Sequence, residues 1–150
     1  MYYYLVAISS VFLDQISKWK VVNGMENGQS IPLVEGVFHL TSHRNRGAAF
    51  GILQNQQWLF IVITAVVTIV ILYFLPKAYR TQRRTGYALS MILGGALGNF
   101  FDRIFRGEVV DMLDFTLIDF PIFNVADLFI TIGALIMVVD ILLDIRKGAD

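Results

Sequence analysis

The sequence predicts an all-α integral membrane protein with four transmembrane helices and a small β-sheet on the outer membrane surface. Three observations carry that expectation. Hydrophobic residues make up 56% of the 150-residue chain and charged residues only 16%, where a soluble domain averages roughly 45–50% and 25%. The mean hydropathy is +0.63, and a soluble core so rich in apolar residues would leave too few polar ones to cover its surface. Four segments approach the ~20 mostly apolar residues a membrane helix needs, and basic residues crowd two stretches that such a topology puts on one side of the bilayer. The length suits one domain, 1–150.

The first span runs from Tyr2 to Val22. It is apolar from its start and lacks both a basic n-region and a small-residue cleavage site, so it reads as a retained segment and not a cleaved signal peptide. Asp14, Gln15, Ser17 and Lys18 interrupt its second half, and Tyr2, Tyr3, Tyr4 and Trp19 are placed as interfacial aromatics. Gln29 to Leu53 is rich in β-branched and aromatic residues punctuated by Gly and Pro. Val37 to Thr41 reads as a strand and Ala48 to Leu53 as a second. His39 and His43 fall in a polar loop with no second ligand cluster, so no metal site is expected. The second span, Trp58 to Leu75, carries no charge and should stop at Pro76. The third, Gly86 to Ile104, is short and ends in polar residues. The fourth, Asn124 to Ile145, has Asp127 near its start and Asp140 near its end.

Lys77, Arg80, Arg83 and Arg84 crowd the link between the second and third spans, and Arg146 and Lys147 follow the fourth. The positive-inside rule puts both in the cytoplasm, and with four spans the N-terminus joins them. Residues 23–57 and 103–123 then lie on the outer face. The net charge is zero, which suggests no nucleic acid or other polyanion as partner. The absence of cysteine excludes disulfides, thiolate metal sites and a cysteine nucleophile.

Chemistry concentrates at the joint of the third and fourth spans, Gly94 to Asp127. Ionisable residues at a membrane edge are costly and so are functional candidates. Asn99, Asp102, Arg103 and Arg106 share one helical face. They form either a solvated helix end with an Asp102–Arg106 pair, or a polar wall in which Arg103 clamps carbonyl oxygens. Asp14 and Lys18, four apart, form an ion pair at the water interface, or Asp14 bonds to the polar cluster across the bundle. Gly94 and Gly98 make a small-residue step for close helix packing, with Gly95 beside it. Asn45 to Gly51 is a turn into small residues, either a plain loop or a holder of extended peptide. Asn124 and Asp127 have capping-box spacing, and the dipole at a helix N-terminus favours an ionised Asp127 that can act as a base. Asp111 follows two valines, which places it where an apolar strand or a helix end meets water; the alternative is a loop with acidic decoration, with Asp114 as its rival and Asp119 further on. Asp111 and Asp127 are the expected catalytic pair. One proton shared between them supplies a base for water and an acid for the carbonyl oxygen or leaving amine, and such a pair titrates as a unit.

These residues are familiar as a set. DQISK (Asp14–Lys18), NRGAAFG (Asn45–Gly51), GGALGNFFDR (Gly94–Arg103), EVVDM (Glu108–Met112) and FNVAD (Phe123–Asp127) resemble, in order, the motif blocks of the bacterial lipoprotein signal peptidases, the type II signal peptidases. The resemblance spans nearly the whole chain. It implies an aspartyl endopeptidase of the bacterial cytoplasmic (inner) membrane, which cuts a prolipoprotein just before a cysteine that already carries diacylglycerol. It implies four transmembrane helices with a β-cradle over the site, catalysis by Asp111 and Asp127, and support from Asp14, Lys18, Asn45, Gly47, Asn99, Asp102, Arg103, Asn124 and Ala126. Further implications are inhibition by globomycin-type cyclic peptides, contact with membrane lipids, no cofactor and a monomer. Two positions depart from the pattern: Leu128 stands where Ser is common, and Arg46 where Thr or Asp is also familiar. The competing readings are a small transporter or channel subunit that binds cations at Asp102, Asp111 and Asp127, and a structural membrane subunit. The gathering of the acids at one face counts against the first, and their number in one joint against the second.

Overall fold

In the computed structural model, which describes residues 2–47, 53–81, 83–118 and 120–149, the chain runs α1 (Tyr2–Gly24), β1 (Ser30–Val34), β2 (Phe38–Asn45), α2 (Gln57–Thr81), α3 (Arg83–Arg106), β3 (Val109–Asp114) and α4 (Val125–Ala149). Helix α3 is the centre, and α1, α2 and α4 all pack on it. Its small residues make this possible. A methyl group on Gly94 would lie 2.6 Å from the carbonyl oxygen of Ala7, and one on Gly98 would lie 2.5 Å from the carboxylate of Asp14, both on α1. A methyl on Gly95 would collide with the Ala126 carbonyl of α4. The predicted Gly94–Gly98 step therefore seats α1, while Gly95 between them seats α4.

The outward faces of α2 and α4 are apolar and exposed, with Val62, Ile69, Tyr73, Leu135, Leu142 and Ile145 among them. Exposed apolar surface of this extent marks a lipid-facing or partner-facing protein. Among the described residues, Gln57–Ala78 and Val125–Arg146, 22 residues each, are long and apolar enough to cross a membrane. Helices α1 and α3, of 23 and 24 residues, are as long but less apolar, because Asp14, Lys18, Asn99 and Asp102 occupy their buried faces. Helix α2 does not stop at Pro76 as expected but continues to Thr81. Proline removes a single backbone donor, and residues beyond it can still complete the ladder.

The helices carry a three-stranded antiparallel sheet in the order β1-β2-β3. The predicted strand at Val37–Thr41 is the longer β2, so His39 and His43 lie on a strand and not in a loop. Strand β1 was not expected as such, β3 realises the strand setting of the two open for Asp111, and most of the predicted strand at Ala48–Leu53 lies outside the described residues. The register places His43 opposite Asp111 and Asn45 opposite Val109. Val110 and Met112 of β3 pack with Val21 of α1 in an apolar cluster where sheet meets bundle. That cluster anchors the strand on which Asp111 sits.

Candidate active site

Strand β3 delivers Asp111 and the first turn of α4 delivers Asp127. Both line one cavity of about 250 Å³, together with Asn45, Gly47, Asn99, Arg103 and Asn124. Each of the four carboxylate oxygens has one N–H donor. Asn45 Nδ2 donates to Asp111 Oδ2 at 2.9 Å and Asn124 Nδ2 to Asp111 Oδ1 at 2.6 Å. Asn99 Nδ2 donates to Asp127 Oδ1 at 2.8 Å, and the backbone N–H of Asn124 to Asp127 Oδ2 at 3.1 Å.

The three amide side chains are held the right way round by their oxygens. Asn45 Oδ1 accepts from the Gly47 N–H at 2.9 Å, closing the predicted turn. Asn124 Oδ1 accepts from the Asp127 N–H at 3.0 Å, completing the predicted capping box. Asn99 Oδ1 accepts from Lys18 Nζ at 2.9 Å and from Asn124 Nδ2 at 3.1 Å. An amide whose oxygen already faces a donor cannot flip without breaking that bond, so the NH₂ groups must face the acids.

Burial pushes the Asp111 carboxyl above its ordinary value of 3.8 to about 6. The bond from Asn45 pulls the other way, and the charge of Asp127 adds to the rise. Asp111 is 2% exposed. Arg103 lines the same cavity with its guanidinium 4.7 Å over the ring of Phe60 on α2. Its Nη1 lies 3.4 Å from the carbonyl oxygen of Asn99, and its buried Nε–H has no hydrogen-bond partner among the described residues. That leaves an unsatisfied donor in the cavity wall, a group that is costly to bury without an acceptor.

Behind the cavity sits a buried ion cluster. Lys18 Nζ lies 2.8 Å from Asp14 Oδ2 and 3.0 Å from Asp102 Oδ2. Asp14 Oδ1 accepts from the Ala126 N–H at 2.9 Å, and Asp102 Oδ2 from the Val110 N–H at 3.2 Å. Asp102 also pairs with Arg106, as the spacing predicted. The Asp14–Lys18 pair is not at the water interface, since both side chains are 0% exposed. The other expectation, that Asp14 bonds across the bundle, is the one realised.

Asp114 stands apart. It accepts from Thr41 Oγ1 at 2.7 Å on the sheet, opposite His39, and does not line the cavity. Asp119 and residues 48–51 of the NRGAAFG block lie outside the described residues. Gln15 was missed. Its Nε2 lies 3.1 Å from the Gly98 carbonyl oxygen and 3.1 Å from Asp14 Oδ2, and its place beside Asp14 on a polar helix face was the available signal. Also missed was the wall formed by Phe120, Pro121, Ile122 and Phe123, which composition alone does not separate from an ordinary loop. Among the described residues no group of His or acidic side chains is placed to hold a metal ion.

The family model for signal peptidase (SPase) II matches residues 6–143. A lipoprotein signal peptidase from Brevibacillus brevis is 59% identical over 148 residues, covering 99% of both chains. Another, from Halalkalibacterium halodurans, is 53% identical over 99% of this chain and 96% of its own length. Two solved structures described as bacterial membrane enzymes superpose with TM-scores of 0.90 and 0.84, each at 39% identity. They cover 95% and 92% of this chain, which in turn covers 88% and 90% of theirs. A family match over most of the chain, joined to relatives of this identity along nearly its whole length, places the chain in the signal peptidase II family.

Proposed function

We propose that Asp111 and Asp127 are the reacting pair of a lipoprotein signal peptidase, hydrolysing the peptide bond that precedes a diacylglyceryl-modified cysteine. Removal of the signal peptide from prolipoproteins by an aspartic-type peptidase is the reaction of the family. The observation that supports the residue assignment is one cavity holding two carboxylates, one of them raised to about 6 and both clamped by N–H donors. Asp127 takes a proton from water while the protonated Asp111 gives its proton to the carbonyl oxygen. The resulting tetrahedral species collapses as the proton held by Asp127 passes to the leaving amine, and the hydroxyl proton returns to Asp111. Arg103 supplies the unsatisfied donor for a substrate carbonyl.

The membrane arrangement belongs to the same reading. All four helices span, with both termini cytoplasmic and the site near the outer face, as the basic clusters indicate. Helices α2 and α4 each pack on α3 but scarcely touch one another among the described residues, a gap suited to sideways passage of lipid chains and of a substrate helix. Acyl chains help to fix the substrate, since each CH₂ removed from water contributes about 0.8 kcal/mol. The chain works as a monomer, and globomycin-type cyclic peptides compete for the cavity.

The test is cleavage by the purified protein in bilayers of a prolipoprotein supplied with and without its diacylglyceryl group. Turnover of the lipidated form alone supports this reading. Equal rates on both forms contradict the lipid requirement, and cation flux without cleavage favours the transporter alternative.

A further inference from the structure

Each element that carries a reacting carboxylate also has a backbone N–H satisfied from another helix. On β3 it is Val110, next to Asp111, and in the first turn of α4 it is Ala126, next to Asp127. A helix cannot satisfy its first amides internally. Here the acceptors are carboxylates, Asp102 from α3 for Val110 at 3.2 Å and Asp14 from α1 for Ala126 at 2.9 Å. Both carboxylates meet the same ammonium group, Lys18 Nζ, at 3.0 and 2.8 Å. Its third contact is Asn99 Oδ1 at 2.9 Å, and Asn99 in turn holds Asp127 at 2.8 Å. Lysine has three donors and no acceptor, so all three are committed, and the side chain is 0% exposed.

We infer that Lys18 is a positioning residue that sets the separation of Asp111 and Asp127. It ties the strand beneath one acid and the helix turn beneath the other to a single point. This inference rests on the reading of Asp111 and Asp127 as the reacting pair. Lys18 makes no hydrogen bond to either, so it takes no proton in the reaction. The plainer account is a buried ion pair that only fastens α1 to α3. One carboxylate would serve that purpose, and buried ion pairs are a poor source of net stability. What a fastening does not require is a second carboxylate, with both acids aimed at amides one residue away from the two members of the pair.

Displacing a reacting group by about 1 Å can cost about 100-fold in rate. Lys18→Arg retains the charge but offers a planar fork that cannot meet three acceptors arranged around one nitrogen. The experiment is steady-state cleavage of a lipid-modified prolipoprotein by K18R from about pH 4.5 to about pH 9, with kcat and KM resolved. The charged and polar groups acting on Asp111 are Asp127, Lys18, Asn45 and Asn124, with Arg103 in the same cavity. Because K18R conserves charge, movement of the pH limbs reports geometry. The expected result is a fall in kcat of about 100-fold, KM within about threefold, and an alkaline limb shifted to lower pH as the two carboxylates separate and repel less.

Should K18R fail to fold, D14N/K18M, which removes one buried charge of each sign, takes its place with the split between kcat and KM as readout. Wild-type kcat with an unmoved limb in a folded variant overturns the inference. So does a loss carried wholly by KM or by a smaller folded fraction. D111N and D127N in the same assay separate the two ideas. If both are inactive while K18R behaves as wild type, the reacting pair stands and the role of Lys18 is wrong. If either retains turnover, the pair is wrong and this inference falls with it.

Discussion

Asn124 and Asp127 exchange hydrogen bonds across the first turn of α4. The side chain of Asn124 accepts from the Asp127 N–H at 3.0 Å, and the carboxylate of Asp127 accepts from the Asn124 N–H at 3.1 Å. The exchange uses only the oxygen of the Asn124 amide, so its NH₂ group reaches Asp111 at 2.6 Å and Asn99 at 3.1 Å. One residue therefore caps the helix that carries one acid and donates to the other acid.

Those two tasks can be separated. Serine caps a helix about as well as asparagine but cannot reach Asp111, whereas alanine does neither. N124A should be about 1 kcal/mol less stable than N124S by thermal or denaturant unfolding. Both should lose at least about tenfold in kcat, because the donor to Asp111 is gone in each. Equal stability of the two variants would show that the cap does not matter, and wild-type kcat in N124S that the bond to Asp111 does not.

The raised pKa of Asp111 is also a statement about stability. Its folded value of about 6 lies above the ordinary 3.8, so between those values the folded chain holds a proton that the unfolded chain has released. The associated stability is present below about pH 4, is lost as pH rises through about 6, and is level above that. D111N lacks this titration. The melting temperature of wild type minus that of D111N should therefore fall as pH rises from about 4 to about 7, by the equivalent of roughly 3 kcal/mol at most. A difference that stays flat or grows with pH would contradict the buried environment assigned to Asp111.

Close backbone approach makes Gly95 sensitive. A methyl there meets the Ala126 carbonyl and lies 2.8 Å from Ile130 Cγ1, pushing away the turn that carries Asp127. G95A should cost about 1–3 kcal/mol of stability and lower kcat. G24A, where a methyl has nothing within 4 Å, should leave both nearly unchanged. A fully active, fully stable G95A would mean that α3 and α4 are not packed as described.

Topology can be read by chemical labelling, because the parent chain has no cysteine. In intact cells a membrane-impermeant thiol reagent should label a cysteine placed at Glu35 and spare one placed at Arg83. The reverse pattern would invert the proposed orientation of the site.

How far the sequence revealed this arrangement differs by element. Helices α2 and α4 were legible because apolar residues run around most of their surface. The capping box and the Gly94–Gly98 step were legible because their spacing has a local physical cause. Strand β3 was legible only as one of two settings, a strand or a helix end, because both of its faces are covered. Val109 to Met112 are all buried, so the alternation that marks a half-buried strand is missing. The depth of the Lys18 cluster was not legible. Asp14 and Lys18 four apart look alike whether they face water or α3, and it is the close approach of α3 at Gly98, opposite Asp14, that decides between the two. The exclusion of Asp114 from the cavity likewise depends on its partner Thr41, 73 residues away in the chain.

The most direct test of the central claim is the cleavage rate of a lipid-modified prolipoprotein by D111N, D127N and D114N, with helix content measured alongside. Asparagine keeps the shape of each side chain but can neither take nor give the transferred proton. Folded D111N and D127N should each fall by about 1000-fold or more, while D114N, whose parent carboxylate bonds only to the sheet residue Thr41 among the described contacts, should keep most of its activity. Substantial turnover by folded D111N or D127N, or loss of turnover in D114N alone, would contradict the assignment of Asp111 and Asp127 as the reacting pair.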